Sequence, residues 1–173
     1  MDFLKAIIDR IPDHAKDIRL NVGAVLARSS LEPEAALGVA LAAAYMAKCK
    51  PIVEAIRASG RLPEAEQNGA LSAAALMAMN TLWYPYVDMA GDEDLKTQRA
   101  ELRMTVYATH GGIDRRRFEL YALAASIVGK CHFCVRSHYQ LLKENGMSAL
   151  QLRDAGRIAA VIGAAATALA LEQ

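Results

Sequence analysis

Apolar positions recur along this chain at intervals of three and four, and almost nowhere in strict alternation. That spacing predicts helices and no strands. Residues 3–10 read as a short helix ahead of Pro12, and "DHAKDIRLNVGAVLARS" is helical from about Ala15. "EPEAALGVALAAAYMAK" puts Pro33 in a first turn, where a missing N–H breaks no hydrogen bond, and runs to about Lys48. Pro51 favours a fresh start for "PIVEAIRASG", which Gly60 stops; "PEAEQNGALSAAALMAMNTLWY" is the next helix. "GDEDLKTQ" is a polar connection to a short apolar helix at 103–108, and "THGG" is a turn. Asp114 caps "RRRFELYALAASIVGK", Gly129 loosens its end, and "CHFCVRSHYQLLKENG" begins a new helix that stops at Asn145 and Gly146. Residues 148–171 finish the chain, and the expected fold class is all-α.

A length of 173 residues predicts one domain, 1–173, large enough to bury a core unaided. Within it, "ALAAAYMAKCKPIVEAI" resembles "LYALAASIVGKCHFCVRSH" with Cys49 laid on Cys131, 82 positions later. "GALSAAALMAMNTLW" and "AGRIAAVIGAAATAL" match at a separation of 86, so the repeat halves are about 33–83 and 114–172. In the first half Leu37 stands where the second has Glu119, Ile52 where it has Cys134, and Ile56 where it has His138. The reactive side chains thus belong to the second half, with the first as scaffold.

Charge narrows the function classes. Twenty Lys and Arg against nineteen Asp and Glu provide no electrostatic drive toward nucleic acid or an anionic membrane. The opening "MDFLKAIIDR" is too charged for the apolar region of a signal peptide. Residues 69–87 carry Ser72, Asn80, Thr81 and Pro85, and 158–171 fall short of the ~18 residues a membrane span needs; both read as core helices. A cytoplasmic location follows as the expectation. Thiols are kept reduced there, so paired cysteines point to redox or metal chemistry more than to a structural staple.

Two of the three cysteines and two of the four histidines fall within "GKCHFCVRSHYQ". Cys131 and Cys134, three apart at a helix start, share one face and lie within reach of a disulfide. His138 is one turn further along that face. Helix amides and a neighbouring imidazolium both favour thiolate, lowering a thiol pKa from about 8.5 to roughly 3.5–7.5. Position alone makes Cys131, nearer the helix N-terminus, the more acidic thiol. Zinc is the competing use: Cys131, Cys134 and His138 offer three ligands where a tetrahedral site takes four, and His132 is turned about 100° away. A third reading is two buried helical cysteines with no chemistry. Glu119, twelve residues before Cys131 in the apolar stretch "FELYALAASIV", could orient an imidazole, relay a proton or face solvent. Cys49 reads as a buried structural thiol, His14 and His110 as packing or surface residues, and "WYPY" as core or interface.

Glu119, Cys131, Cys134 and His138 stand in the pattern E-x11-C-x-x-C-x-x-x-H. In an all-helical chain of this size that pattern resembles the alkyl hydroperoxide reductase D family of the carboxymuconolactone decarboxylase-like superfamily. "PDHAKDIRLN", "MAMNTLWY" and "LRMTVYATHGGI" extend the likeness over nearly the whole chain. The resemblance implies an antioxidant thiol peroxidase without a bound cofactor. Dihydrolipoamide on a lipoylated protein would be its electron donor, and an AhpC-type peroxiredoxin or a hydroperoxide its acceptor. It also implies a homotrimer. By the same likeness, Cys134 forms the sulfenic acid or mixed disulfide, Cys131 donates the proton and closes the internal disulfide, and His138 and Glu119 relay protons. The family carries a further histidine directly before the second cysteine; here Phe133 holds that place, and His132, one residue earlier, is the candidate to take over its catalytic role. Two other readings are a non-enzymatic zinc-binding or redox-sensing module built on the same side chains, and, by superfamily analogy, a decarboxylase-like enzyme.

Overall fold

The computed structural model describes residues 2–171, and over them the chain forms ten α-helices, three short 3-10 turns and no strand. The helices are α1 (Lys5–Ile8), α2 (Lys16–Ala27), α3 (Pro33–Met46), α4 (Lys50–Ala58), α5 (Glu64–Ala90), α6 (Glu93–Thr97), α7 (Val106–Thr109), α8 (Arg115–Val128), α9 (His132–Glu144) and α10 (Ala149–Ala170). None is long and apolar enough to cross a membrane.

α3, α5 and α8 pack against one another at the centre, and α10 lies across α3, α8 and α2. α3 is buried on every side from Ala35 to Ala44, and α8 from Phe118 to Ser126. A helix apolar all round has no solvent face to spare, so these two form the inner layer. Alanine and glycine let the backbones approach closely. A Cβ on Gly38 would sit 2.3 Å from the ring of Tyr121, itself fully buried and hydrogen-bonded to Glu66.

Helix starts follow the expected chemistry. Asp114 accepts the amides of Arg116 and Arg117 to open α8, and Ser148 forms a reciprocal capping box with Gln151 to open α10. Three boundaries differ from expectation. α5 does not stop at Tyr84 but continues through Pro85 to Ala90, ending at Gly91 in a left-handed conformation. One proline withholds a single N–H from a helix of 27 residues, and the helix tolerates it. The polar connection contains α6, because the Asp92 side chain caps the amides of Asp94 and Leu95. The helix expected at 103–108 begins only at Val106 and runs to Thr109, where His110 turns left-handed at φ 52°.

The α3–α4 and α8–α9 joints have one design. Lys48 (φ 58°) and Lys130 (φ 55°) each reverse the chain in the left-handed region. Cys49 and Cys131 then stand as N-caps, their amides bonded back to Ala44 and Ser126. This joint directs α9 against both α8 and α5.

Candidate redox site

At the second joint the left-handed turn at Lys130 swings Cys131 to the mouth of α9, with extended dihedrals of φ −85° and ψ 101°. The amide of Cys134 donates to Cys131 Sγ at 3.2 Å, and Cys131 and Cys134 are joined by a disulfide across 5.3 Å between their Cα atoms. Both are buried, with 0% and 3% of their surface exposed. In the dithiol form that amide favours negative charge on Cys131, as any helix N-terminus does. Cys134 Sγ lies 3.9 Å from the backbone carbonyl of Asn80, a neighbour suited to an S–H rather than a thiolate.

One turn along α9, His138 projects into the same interior. Its Nδ1 is 2.6 Å from Glu119 Oε2, and its Nε2 is 3.3 Å from Met77 Sδ. Neither cysteine sulfur is among its hydrogen-bond partners in this disulfide form. Glu119 is the one carboxylate in the fully buried stretch of α8, and His138 is what answers it there. The arrangement fixes the ring orientation and puts a proton-carrying pair one helical turn from the sulfurs.

The remaining residues singled out in the sequence scatter. His132 is exposed at the start of α9, on the rim of a groove shared with Lys130 and Arg136. Phe133, between the cysteines, is 59% exposed and stacks on Tyr84 at 4.6 Å. Cys49 is buried at the first joint, where desolvation raises its thiol pKa. His110 packs beside Phe118, and His14 is exposed. Among the described residues no group of three His, Cys, Asp or Glu side chains is placed to hold a metal ion.

Three site residues carried no signal of their own in the sequence. Met77 and Asn80 come from α5 and Tyr107 from α7. Asn80, 2% exposed, touches Cys134 through its backbone and donates from Nδ2 to Tyr107 Oη at 3.4 Å. Burial, with the charge of Glu119 and then Tyr84 adding to it, pushes the Tyr107 phenol up to about 12. These residues lie in "MAMNTLWY" and "LRMTVYATHGGI", stretches that already carried the family likeness, and that was the only available pointer to them.

Comparison with known proteins bears on this geometry. The chain is 42% identical to "Alkyl hydroperoxide reductase AhpD" of Rhizorhabdus wittichii over 95% of either chain. It is 43% identical to the protein of the same name from Rhodospirillum centenum, over 98% of this chain and 91% of that one. This chain belongs to the AhpD family. A further relative of that name, from Anaeromyxobacter dehalogenans, is 42% identical over 99% of this chain and 92% of its own. The carboxymuconolactone decarboxylase family model matches residues 93–173, the part that contains Glu119, the cysteine pair and His138. The AhpD likeness also spans the N-terminal helices and α5, and so the elements that wall the disulfide.

Proposed function

We propose that this chain is a dithiol oxidoreductase that uses the Cys131–Cys134 pair to reduce hydroperoxides and to pass electrons from a dihydrolipoyl donor to an AhpC-type peroxiredoxin. The observation that carries the reading is a disulfide at the mouth of α9 with a buried His138–Glu119 pair one turn behind it. Relatives named alkyl hydroperoxide reductase AhpD over nearly the full length support it.

In the reducing half, a donor thiolate attacks one sulfur of the disulfide, and the second donor thiol displaces the mixed disulfide. The donor leaves oxidised; two electrons and two protons remain on Cys131 and Cys134. In the oxidising half, Cys134 sulfur attacks the distal oxygen of a hydroperoxide and the O–O bond breaks. The alkoxide takes a proton and leaves as alcohol. Cys131 then attacks the sulfenic sulfur, water departs, and the disulfide closes. His138, oriented by Glu119, supplies and takes up these protons. The AhpD likeness, in which the second cysteine takes that role, and His138 one turn along α9 support Cys134 as the sulfur that meets partners. The Cys134 amide, which donates to Cys131 Sγ, supports charge on that sulfur as it resolves the intermediate. A trimer is part of the same reading, supported by the apolar surface of Leu82, Tyr86 and Met89 along α5. So is a reducing, cytoplasmic setting.

The test is thiol counting. The reduced protein should lose two thiols to an alkyl hydroperoxide and regain them from dihydrolipoamide. After one equivalent of alkyl hydroperoxide, Cys131→Ser should hold a sulfenic acid at Cys134 that dimedone labels, and Cys134→Ser should hold none there. Peroxide turnover undiminished in Cys134→Ser would refute the assignment.

A further inference from the structure

Both sulfurs of the Cys131–Cys134 bond are enclosed, so whatever reacts with them needs a surface close by that holds it in register. Along α9 runs an open groove of about 720 Å³. It begins at Lys130 and His132, the residues on either side of Cys131, and reaches Gln140. Ile127 and Val135 give it an apolar lining, Lys130 and Arg136 two cations, and His132 an imidazole N–H. No carboxylate lines it. Lys130 and Arg136 are exposed, and among the described residues neither has a carboxylate partner. Glu144, further along α9, is held by Gln140 Nε2 at 2.9 Å.

The α3–α4 joint shows that this charge is no by-product of the joint's design. The groove there is lined by Tyr45, Lys48, Lys50 and Val53, which stand 82 positions before Ile127, Lys130, His132 and Val135. The position 82 before Arg136 is Glu54, and it pairs with Lys50 at 3.6 Å. The inert joint thus neutralises a cation of its own, while the reactive joint carries a guanidinium in place of that carboxylate. Two unpaired cations stand together on a chain whose overall charge is only +1. Such a patch attracts and orients surfaces of opposite charge. From His132 to Gln140 the helix rises about 12 Å, the length of three or four residues of extended chain. A lone anion fills a fraction of that length. A short acidic stretch of polypeptide spans it, with carboxylates on Lys130 and Arg136 and apolar side chains against Ile127 and Val135.

We infer that this groove docks an acidic segment of the protein that exchanges electrons with the Cys131–Cys134 pair. Lys130 and Arg136 select the partner and take no part in the sulfur chemistry. The inference rests on the redox reading of the cysteine pair, but on no particular physiological donor.

The probes are two short synthetic peptides, each with a single cysteine, one flanked by Glu and the other by Gln. A peptide thiolate attacks one sulfur of the oxidised full-length protein and a second peptide thiol displaces it. The peptides leave joined as a disulfide, with two electrons and two protons on Cys131 and Cys134. New protein thiols are counted with time. Each rate is divided by that peptide's rate with hydroxyethyl disulfide, which cancels the intrinsic reactivity of its thiol. At low salt the Glu peptide should open the bond about tenfold faster than the Gln peptide. High salt should remove most of that advantage. Lys130→Gln and Arg136→Gln should each lower it and together abolish it, while Lys50→Gln at the α3–α4 joint keeps it. A Glu peptide no faster than the Gln peptide overturns the proposal. So does an advantage that survives in the double variant, or one that Lys50→Gln removes equally. Mercaptoethanesulfonate set against mercaptoethanol tests the lone anion: an advantage as large as the peptide's would make the groove a small-anion site and overturn docking of a segment. Failure of wild type to open even under dithiothreitol would instead sink the redox reading itself.

Discussion

Glu119 is a carboxylate in the fully buried stretch of α8, on a helix with no exposed face at that level. An ionised carboxylate in such a place is costly unless a hydrogen-bonded partner meets it. His138 meets it at 2.6 Å and is in turn held by it. Each residue therefore accounts for the other's burial, and the pair accounts for the geometry of the helix face that carries the sulfurs. Glu119→Gln preserves shape but replaces the carboxylate that meets His138 Nδ1 with an amide. Peroxide turnover in that variant should fall by about a hundredfold, the lower end of what a lost proton-transfer group costs. Far-ultraviolet circular dichroism should show the helices intact. A second buried carboxylate, Asp154, makes a useful contrast. Burial pushes its pKa up, but hydrogen bonds from the Ser30 amide, Arg153 and Arg157 outweigh that and hold it well below the usual carboxylate range. It ties the α2–α3 link to α10 and lies apart from the redox chemistry.

Between elements, what matters is how closely the inner helices approach. Gly38 on α3 faces Tyr121 on α8, with 2.3 Å between an added Cβ and the ring. Tyr121 has no room to withdraw, being fully buried and bound to Glu66. Gly38→Ala should therefore lower unfolding stability by about 1–3 kcal/mol, the usual range for overpacking a filled core. Gly23, inside α2, has nothing within 4 Å of its added Cβ. Gly23→Ala should move stability the other way, by roughly 0.5–1 kcal/mol, because alanine is the better helix former. Urea denaturation of the two variants side by side checks the sign of each. The same logic explains which features could be read along the chain. Helix interiors were legible because buried positions repeat every three or four residues, and the start at Asp114 was legible because capping is local chemistry. Pro85 misled because a helix end turns on as little as one hydrogen bond. Cys131, Cys134 and His138 could be recognised within a single helix. Met77, Asn80 and Tyr107 could not, since they reach the site from 27 to 61 residues away from their partners.

For the molecule as a whole, the disulfide is a small contributor to stability. It closes a loop with only two residues between the cysteines, worth roughly 2 kcal/mol on a chain-entropy reckoning. The core of α3, α5, α8 and α10 is independent of it. Reduction should therefore lower unfolding stability by about 2 kcal/mol or less and leave helix content unchanged. Parallel denaturation with and without reductant measures this. Such a molecule could cycle between disulfide and dithiol without passing through an unfolded state.

The enclosure of both sulfurs has one further consequence. Abundant small thiols in a cell would otherwise drag any dithiol toward their own redox poise, wasting reducing equivalents on bystanders. A bond sheltered this well exchanges slowly with casual collisions and quickly only with a visitor shaped to part the wall above it. The shelter would thus turn an ordinary chemical couple into a private channel between chosen donors and acceptors.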